Sequence, residues 1–193
     1  MPTASAMKWC WRTASLPTMA EALIEVVPYN PEWPALFLQE QRLIAEALSP
    51  WLVGSPEHIG STAVFGLSAK PVIDIMAPVD SLAASEAAIP AAGRIGYVYF
   101  PYRPHQMHWF CKPSADYRTH HLHLIPAGSL LWRERLAFRE ALRHDASLRA
   151  EYQALKLKLA EQYRNDREAY TDAKSPFVAR VVRSALGNTG RPD

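Results

Sequence analysis

Long apolar runs, a surplus of one charge and paired cysteines are all missing from this sequence. No stretch reaches the roughly 18 uninterrupted apolar residues that a membrane-spanning helix needs. The chain has 21 lysines and arginines against 19 acidic residues, so we expect no general attraction to nucleic acid or anionic lipid. Its two cysteines, Cys10 and Cys111, lie far apart and do not suggest a disulfide framework. We predict a soluble, cytoplasmic protein without a nucleic-acid or membrane partner.

The motifs of several enzyme classes are missing as well. The sequence has no nucleophile elbow, no CxxC pair, no glycine-rich dinucleotide loop and no HExxH helix. Catalysis through a covalent serine or cysteine intermediate is therefore not expected.

Domain boundaries are predicted from where the apolar patterns begin and end. Residues 1–22 lack such a pattern and are predicted to form a disordered extension, and residues 188–193 a disordered tail. Residues 1–19 lack the continuous apolar core of a secretory signal, and we hypothesise that translation starts at Met19. Residues 23–187 are predicted to form a single domain.

Strand and helix patterns alternate early in the chain and become helical late. The β-type runs are at residues 23–27, 51–59, 72–76, 97–100, 108–112 and 120–125. Helical spacing is found at 30–48, at 81–93 and in most of the chain after Leu130. This order predicts an α/β (α+β) fold in which a mixed β-sheet is flanked by helices and has a C-terminal helical cover.

A glycine-serine motif lies in the segment Glu57-His58-Ile59-Gly60-Ser61-Thr62-Ala63. Glycine lets the backbone approach a ligand, and Ser61 and Thr62 are suited to cap a helix whose free N–H groups attract phosphate. Gly60, Ser61 and Thr62 are therefore candidate phosphate- or nucleotide-binding residues. An ordinary turn and helix cap is the alternative, because the full spacing of a Walker loop is missing.

A single carboxylate, Asp74, interrupts the apolar run from Val72 to Met76. An ionised carboxylate inside a buried strand is costly unless it is paired, hydrogen-bonded or bound to metal. Nucleotidyltransferases use a Gly-Ser turn, a helix and a strand with an inward carboxylate to place a triphosphate beside Mg²⁺. We predict that Asp74 is a metal ligand and a catalytic residue. Met76 stands on the same strand face, where that superfamily usually has a second acid.

Two histidines, His121 and His123, point to one face of their predicted strand, because side chains alternate along a strand. Beside Asp74, either one would serve as metal ligand, general base or phosphate donor. We predict Asp74, His121 and His123 as catalytic residues and Asp74 and His123 as metal ligands. The predicted cofactors are a nucleoside triphosphate and a divalent metal, Mg²⁺ or Mn²⁺, with Zn²⁺ as an alternative favoured by imidazole ligands. Histidines that are only hydrogen-bonded within the strand or exposed at an edge are the other interpretation.

Basic residues near these motifs are candidates for binding phosphate oxygens. We predict this role for Lys70, Arg118 and Lys174, whereas Arg103 and Lys112 fit a solvated surface better. Tryptophans are interpreted as core residues rather than base-stacking platforms, because no basic stripe surrounds them: Trp33, Trp51, Trp109 and Trp132.

Five motifs, in order, resemble those of the GrpB family across about residues 23–187. They are Val26-Val27-Pro28-Tyr29-Asn30-Pro31-Glu32-Trp33, His58-Ile59-Gly60-Ser61-Thr62-Ala63-Val64, Ala69-Lys70-Pro71-Val72-Ile73-Asp74-Ile75, Thr119-His120-His121-Leu122-His123 and Asp166-Arg167-Glu168-Ala169-Tyr170-Thr171-Asp172-Ala173-Lys174. The resemblance implies a nucleotidyltransferase-like core, which is sometimes fused to dephospho-coenzyme A kinase in other proteins. It implies no particular substrate, because fold alone does not determine function.

Three functions are compatible with these residues. The first is a metal-dependent nucleotidyl- or phosphoryl-transferase acting on a small molecule. The second is a catalytically silent nucleotide- or coenzyme-binding module, favoured by Met76 in place of an acid. The third is a Zn²⁺- or Mn²⁺-dependent hydrolase that uses Asp74, His121 and His123. The expected partner is a small-molecule or nucleotide ligand, and the oligomeric state does not follow from the sequence.

Overall fold

The computed structural model describes residues 23–187 and contains one five-stranded sheet with helices around it. The strands are β1 (Glu57–Ile59), β2 (Ile73–Val79), β3 (Val98–Phe100), β4 (His108–Pro113) and β5 (Arg118–Pro126). The helices are α1 (Trp33–Ala47), α2 (Ala88–Arg94), α3 (Leu130–His144), α4 (Ala146–Gln162) and α5 (Arg167–Ala185). The predicted N-terminal extension, with Cys10 and Met19, and the predicted C-terminal tail lie outside the described residues.

The sheet is mixed, with the strand order β1-β2-β5-β4-β3. Only β2 and β5 are parallel to each other, and the remaining neighbours are antiparallel. In the parallel pair Asp74 lies opposite His121 and Met76 opposite His123. The register therefore sets the predicted site residues beside each other at the centre of the sheet.

Helices cover both faces of the sheet, as the sequence predicted. One face packs against α1 and α2 through a buried apolar cluster that includes Phe37, Ile44, Ile75 and Leu122. The other face packs against α3, whose residues Leu131, Trp132 and Leu136 contact a cluster around Met76. Helices α3, α4 and α5 share a further buried cluster with the segment after the glycine-serine motif, made of Val64, Leu67, Leu142, Tyr152, Phe177 and Val181. The apolar stripes of the C-terminal third therefore form the predicted helical cover.

The predicted strand at residues 23–27 is reduced to an isolated bridge between Val27 and Ala69. Each of these residues donates its N–H to the carbonyl of the other at 2.9 Å. Pro28 and Pro71 flank the bridge, and proline has no N–H to extend a ladder. The strand predicted at residues 51–59 is also shorter than expected. Leu52 makes one bridge to Val79, and the regular strand begins only at Glu57.

Two predicted helices are shorter than the patterns suggested. Residues before Ala88 form turns in which Ser81 Oγ accepts the N–H of Ala84 and Ser85 Oγ donates to the carbonyl of Ser81. Serine side chains that bond to nearby backbone compete with helix formation, so α2 begins late. The helix predicted after the glycine-serine motif is only a 3₁₀ turn, Ser61–Ala63. No long helix dipole therefore supports the motif.

The described residues contain no helix that is both long enough and apolar enough to cross a membrane.

Candidate functional site

Three predicted site residues meet on one face of the sheet. His121 Nδ1 lies 2.9 Å from Asp74 Oδ1, and His123 Nε2 lies 3.9 Å from the same oxygen. One ligand atom from each residue lies within 4.8 Å of the other two. The parallel pairing of β2 and β5 produces this cluster, since Asp74 and His121 are direct neighbours and His123 follows on the same face.

Burial and hydrogen bonding act in opposite directions on the Asp74 carboxyl. Burial alone would raise its pKa, but the hydrogen bond from His121 and the proximity of His123 outweigh burial and hold the pKa well below the ordinary value. Burial also lowers the pKa of His123 to about 3. Near neutral pH the site therefore contains an ionised carboxylate and a neutral His123 imidazole, the forms in which these groups bind metal ions.

The donor atoms of the cluster fit a divalent metal ion. Because Asp74 is ionised and accepts the hydrogen bond, His121 Nδ1 carries a proton, and Nε2 is the ring nitrogen that remains for another ligand. That Nε2 atom is buried and has no hydrogen-bond partner within residues 23–187. A buried nitrogen without a partner is costly unless a ligand satisfies it. Two imidazoles and one carboxylate favour Mn²⁺, Zn²⁺ or Fe²⁺ over Mg²⁺.

The glycine of the motif lies directly against the Asp74 carboxylate. Gly60 has φ 71° and ψ −170°, a conformation that residues with a Cβ rarely adopt. A Cβ atom at this position would collide with Asp74 Oδ2 and lie 3.1 Å from Asp74 Cγ. The motif therefore needs glycine for two reasons, its backbone conformation and the space that the carboxylate occupies.

The two hydroxyls of the motif are already engaged. The Thr62 hydroxyl donates to the Val72 carbonyl at 3.2 Å, so it accepts from His58 Nε2 at 3.0 Å. Burial lowers the pKa of His58 to about 4, which keeps that imidazole neutral. The Ser61 side chain is hydrogen-bonded to Tyr152, which lies on α4. A phosphate-binding role for Thr62 would therefore rest on its backbone N–H and not on the hydroxyl.

Met76, which replaces the expected second acid, is fully buried. It packs in an apolar cluster with Ile59, Met107, Trp109, Cys111 and Ile125. Apolar side chains therefore surround Met76 on this face of the sheet. Asp74 supplies the carboxylate of the cluster that it forms with His121 and His123.

The side chains of Lys70 and Lys174 both place their ammonium groups close to the ring of Tyr170. Their Nζ atoms are 4.4 Å and 4.1 Å from the Tyr170 ring centroid. Burial lowers the pKa of Lys70 to about 7, with a further contribution from the charge of Lys174. Burial lowers the pKa of Lys174 to about 8, and the Asp74 carboxylate counteracts this in part. Within the described residues neither ammonium group forms an ion pair with an acid.

Arg118, the third basic residue predicted to bind phosphate, is on the same side of the site as Lys70. Its charge contributes to the lowered pKa of Lys70. Its Nε donates to the Ala115 carbonyl at 2.7 Å, and its guanidinium lies 5.3 Å from the Trp109 ring centroid. Lys112, which was assigned to the surface, instead forms a 2.7 Å ion pair with the buried Glu40.

Several residues at the site were missed or given another role by the sequence analysis. Trp109 lies in the core as predicted, and its ring centroid also lies 5.1 Å from that of His121, a contact that was not predicted. Tyr152 was not selected from the sequence, and Tyr170 was named only as part of the last of the five motifs. Arg135 on α3 was not selected, although the Asp74 charge acts on it. Local spacing does not reveal how Trp109 and Arg135 approach the site, because both approaches depend on how separate elements of the chain pack together.

With this geometry in view, comparison with known proteins assigns the chain to a family. The family model described as GrpB protein matches residues 23–184. This chain belongs to the GrpB family. GrpB proteins fall in the nucleotidyltransferase-like superfamily, so the resemblance inferred from the five motifs is confirmed.

Individual GrpB relatives agree with this assignment. The UPF0157 protein PA4798 of Pseudomonas aeruginosa is 40% identical over 174 residues, which cover 88% of this chain and 70% of that protein. A dephospho-CoA kinase of Mycolicibacterium paratuberculosis is 29% identical over 198 residues, with 86% of this chain but 47% of that protein covered. The crystal structure of GrpB from Enterococcus faecalis superimposes with a TM-score of 0.77 at 29% identity, covering 86% of this chain and 99% of that chain. The predicted fold class is therefore confirmed.

Proposed function

We propose that this GrpB protein is a metal-dependent transferase that moves a nucleotidyl or phosphoryl group to a small molecule. Asp74, His121 and His123 would hold a divalent metal ion. Lys70, Lys174 and Arg118 would bind the phosphates of a nucleoside triphosphate, with the backbone of Gly60, Ser61 and Thr62 beside them.

The observation that carries this proposal is the imbalance of charge around Asp74. Two partly buried lysines near one tyrosine have lowered pKa values and no acidic partner within residues 23–187. Burying cations without counter-charges is unfavourable, and a polyanionic ligand would remove that cost. A triphosphate with its metal ion supplies both the missing anion and the missing ligand of His121 Nε2.

Each residue has a separate role in the proposed reaction. The metal ion, when bound, would polarise a phosphoryl oxygen and offset developing negative charge. Lys70 and Lys174 would stabilise charge on the leaving phosphates, because ammonium groups in a water-poor site interact strongly with oxyanions. Gly60 would allow the Asp74 carboxylate to lie directly against the backbone of the motif, since it has no side chain in that space.

A catalytically silent nucleotide- or coenzyme-binding module is the second candidate. It is favoured by Met76, which is buried in apolar packing where a second metal-binding acid would be needed for a two-metal reaction. A silent module would bind nucleotide and metal as the transferase does, but it would release the nucleotide unchanged.

A ligand screen with one matched pair of variants tests the proposal. Thermal unfolding is followed with nucleoside triphosphates and with Mg²⁺, Mn²⁺ or Zn²⁺, singly and in pairs, because a ligand of the native state raises its stability. We expect a metal-dependent shift with at least one triphosphate. Asp74→Asn should abolish the metal dependence, whereas Asp80→Asn removes an exposed acid just after the same strand and should not.

The outcomes of the screen separate the candidates. Conversion of the bound triphosphate when small acceptors are added supports the transferase, and binding without conversion supports the silent module. Tightly bound Zn²⁺ or Mn²⁺ without any nucleotide effect would move the assignment to a metal-dependent hydrolase. If Asp74→Asn and Asp80→Asn behave alike, the metal site is wrongly placed.

A further inference from the structure

An open cavity lies between α1, the segment of the glycine-serine motif and α3. Its volume is about 710 Å³, which is within the range of pockets that bind small molecules. Of the residues proposed above to bind metal or phosphate, Thr62 alone lines this cavity in the part of the chain that the structure describes. The cavity therefore adjoins the motif but is separate from the Asp74 cluster and from the two lysines.

Aromatic rings form part of the cavity wall. Phe37 and the His58 imidazole stack with centroids 4.7 Å apart and planes 8° from parallel. Phe65 meets Tyr29 edge to face, with a centroid distance of 5.1 Å. All four rings line the cavity, and Phe65 is 79% exposed. A flat apolar ligand would cover this exposed ring and gain further ring contacts.

Three arginines supply positive charge to the lining: Arg139, Arg143 and Arg149. Two carboxylates balance part of it, because Glu57 lies 2.8 Å from Arg139, and Glu140 lies 2.7 Å from Arg139 and 3.1 Å from Arg143. Arg149 forms no ion pair with any acid that the structure describes. The described residues therefore leave one positive charge of the lining unbalanced.

Arg143 and Arg149 are anchored to backbone carbonyls next to the aromatic rings. Arg143 donates from Nε and Nη2 to the Ala63 carbonyl at 3.1 Å and 3.0 Å, two residues before Phe65. Arg149 Nη1 donates to the carbonyls of Leu142 and Arg143 at 2.9 Å and 3.2 Å. The Arg143 side chain is nevertheless 38% exposed, so it is held in place and still accessible. Guanidinium groups held in this way suit a carboxylate.

We propose that this cavity is a second small-molecule site, which takes an aromatic carboxylate. The ring would lie against Phe37 and Phe65, and the carboxylate would meet Arg143 and Arg149. A single negative charge matches the one unbalanced arginine better than a phosphate monoester with almost two charges does. The proposal goes beyond the transfer reaction and needs neither its metal ion nor its lysines.

Three probes test the site with the full chain: naphthoate, naphthamide and acetate. Naphthoate has both the ring and the charge, naphthamide has only the ring, and acetate has only the charge. Binding is measured by calorimetry at constant ionic strength, with EDTA present and nucleotide absent. We expect saturable binding of naphthoate, binding of naphthamide that is at least about fivefold weaker, and no saturable binding of acetate.

Proton NMR of the histidine rings locates the bound probe. The imidazole signals of His58 and His121 are assigned by their loss in His58→Gln and His121→Gln. Bound naphthoate should move the His58 signals, because His58 lines the cavity and lies next to the ring of Phe37. The His121 signals should stay in place, because His121 belongs to the Asp74 cluster.

Variants separate the charge from the ring. Arg149→Gln should weaken naphthoate to about the affinity of naphthamide and leave naphthamide unchanged. Phe65→Ser should weaken both probes by about threefold or more, and this exposed side chain can be replaced without disturbing the core. Arg94→Gln, exposed on α2 and outside the cavity lining, is the matched control and should change neither affinity. Thermal unfolding of each variant shows that it is folded.

The results distinguish this proposal from the proposed function. Absence of naphthoate binding, or equal affinity for naphthoate and naphthamide, would overturn it. Naphthoate that moves the His121 signals and not those of His58 would also overturn it, because the ligand would then lie at the Asp74 cluster. A positive result beside a negative metal and nucleotide screen would remove the transfer reaction but leave the aromatic carboxylate site.

Discussion

Replacing Gly60 with alanine tests the contact between the glycine-serine motif and Asp74. The added Cβ would collide with Asp74 Oδ2 while the backbone remained at φ 71°. To relieve the collision, the carboxylate has to move away from its 2.9 Å hydrogen bond with His121. We therefore expect Gly60→Ala to lower both protein stability and metal affinity.

The size of the effect follows from two contributions. A side chain forced into this backbone region costs about 1–3 kcal/mol. Loss of a hydrogen bond to a charged group costs about 1.5–3 kcal/mol. The Asp74 side chain is 30% exposed, so water compensates part of that loss. We expect the free energy of unfolding to fall by about 2–5 kcal/mol, which lowers Tm by about 5–15 °C for a protein of this size.

Urea unfolding of three glycine variants separates the two contributions. Gly66 also has a positive φ, 76°, but a Cβ there would meet nothing within 4 Å. Gly66→Ala therefore reports the backbone cost without the collision. Gly93 has no positive φ and also has open space, so Gly93→Ala should be neutral or stabilising by up to about 1 kcal/mol. Metal affinity, measured by calorimetry, should fall in Gly60→Ala alone.

A Gly60→Ala protein that is no less stable than Gly66→Ala, with unchanged metal affinity, would refute the reasoning. It would mean that the carboxylate does not occupy the space beside Gly60.

Two further predictions concern charge. Burial lowers the pKa of His58 from 6.5 to about 4 and that of His123 to about 3. Between those values and pH 6.5 the unfolded chain binds more protons than the folded protein. The free energy of unfolding should therefore rise with pH by about 1.4 kcal/mol per unit for each histidine. Urea unfolding at several pH values checks this, and His58→Gln should make the dependence of stability on pH less steep. Lys174→Met removes a partly buried cation, so we expect a higher Tm by thermal unfolding but at least about fivefold weaker pyrophosphate binding by calorimetry. Equal pyrophosphate affinity in Lys174→Met and wild type would contradict the phosphate role of Lys174.

Local patterns in the sequence determined much of this fold. Apolar residues at helical spacing define α1 and the three C-terminal helices, because one stripe of each must be buried. Alternation along a strand is equally local, so it placed His121 and His123 on one face and identified Met76 as a companion of Asp74. Gly60, Asp74 and His121 each lie in a motif that is an unbroken stretch of sequence, so the resemblance to the family is visible in the sequence alone.

Tertiary structure alone decided how these pieces meet. The register between β2 and β5 brings Asp74 to 2.9 Å from His121, and strand pairing depends on contacts between segments that are distant in sequence. Packing of α3 brings Arg135 to the cluster, while a hydrogen bond to Val72 occupies the hydroxyl of Thr62. No local spacing encodes these contacts, since each depends on the path of the whole chain. Chemistry-bearing residues were therefore visible in the sequence, whereas their partners became visible only in the folded protein.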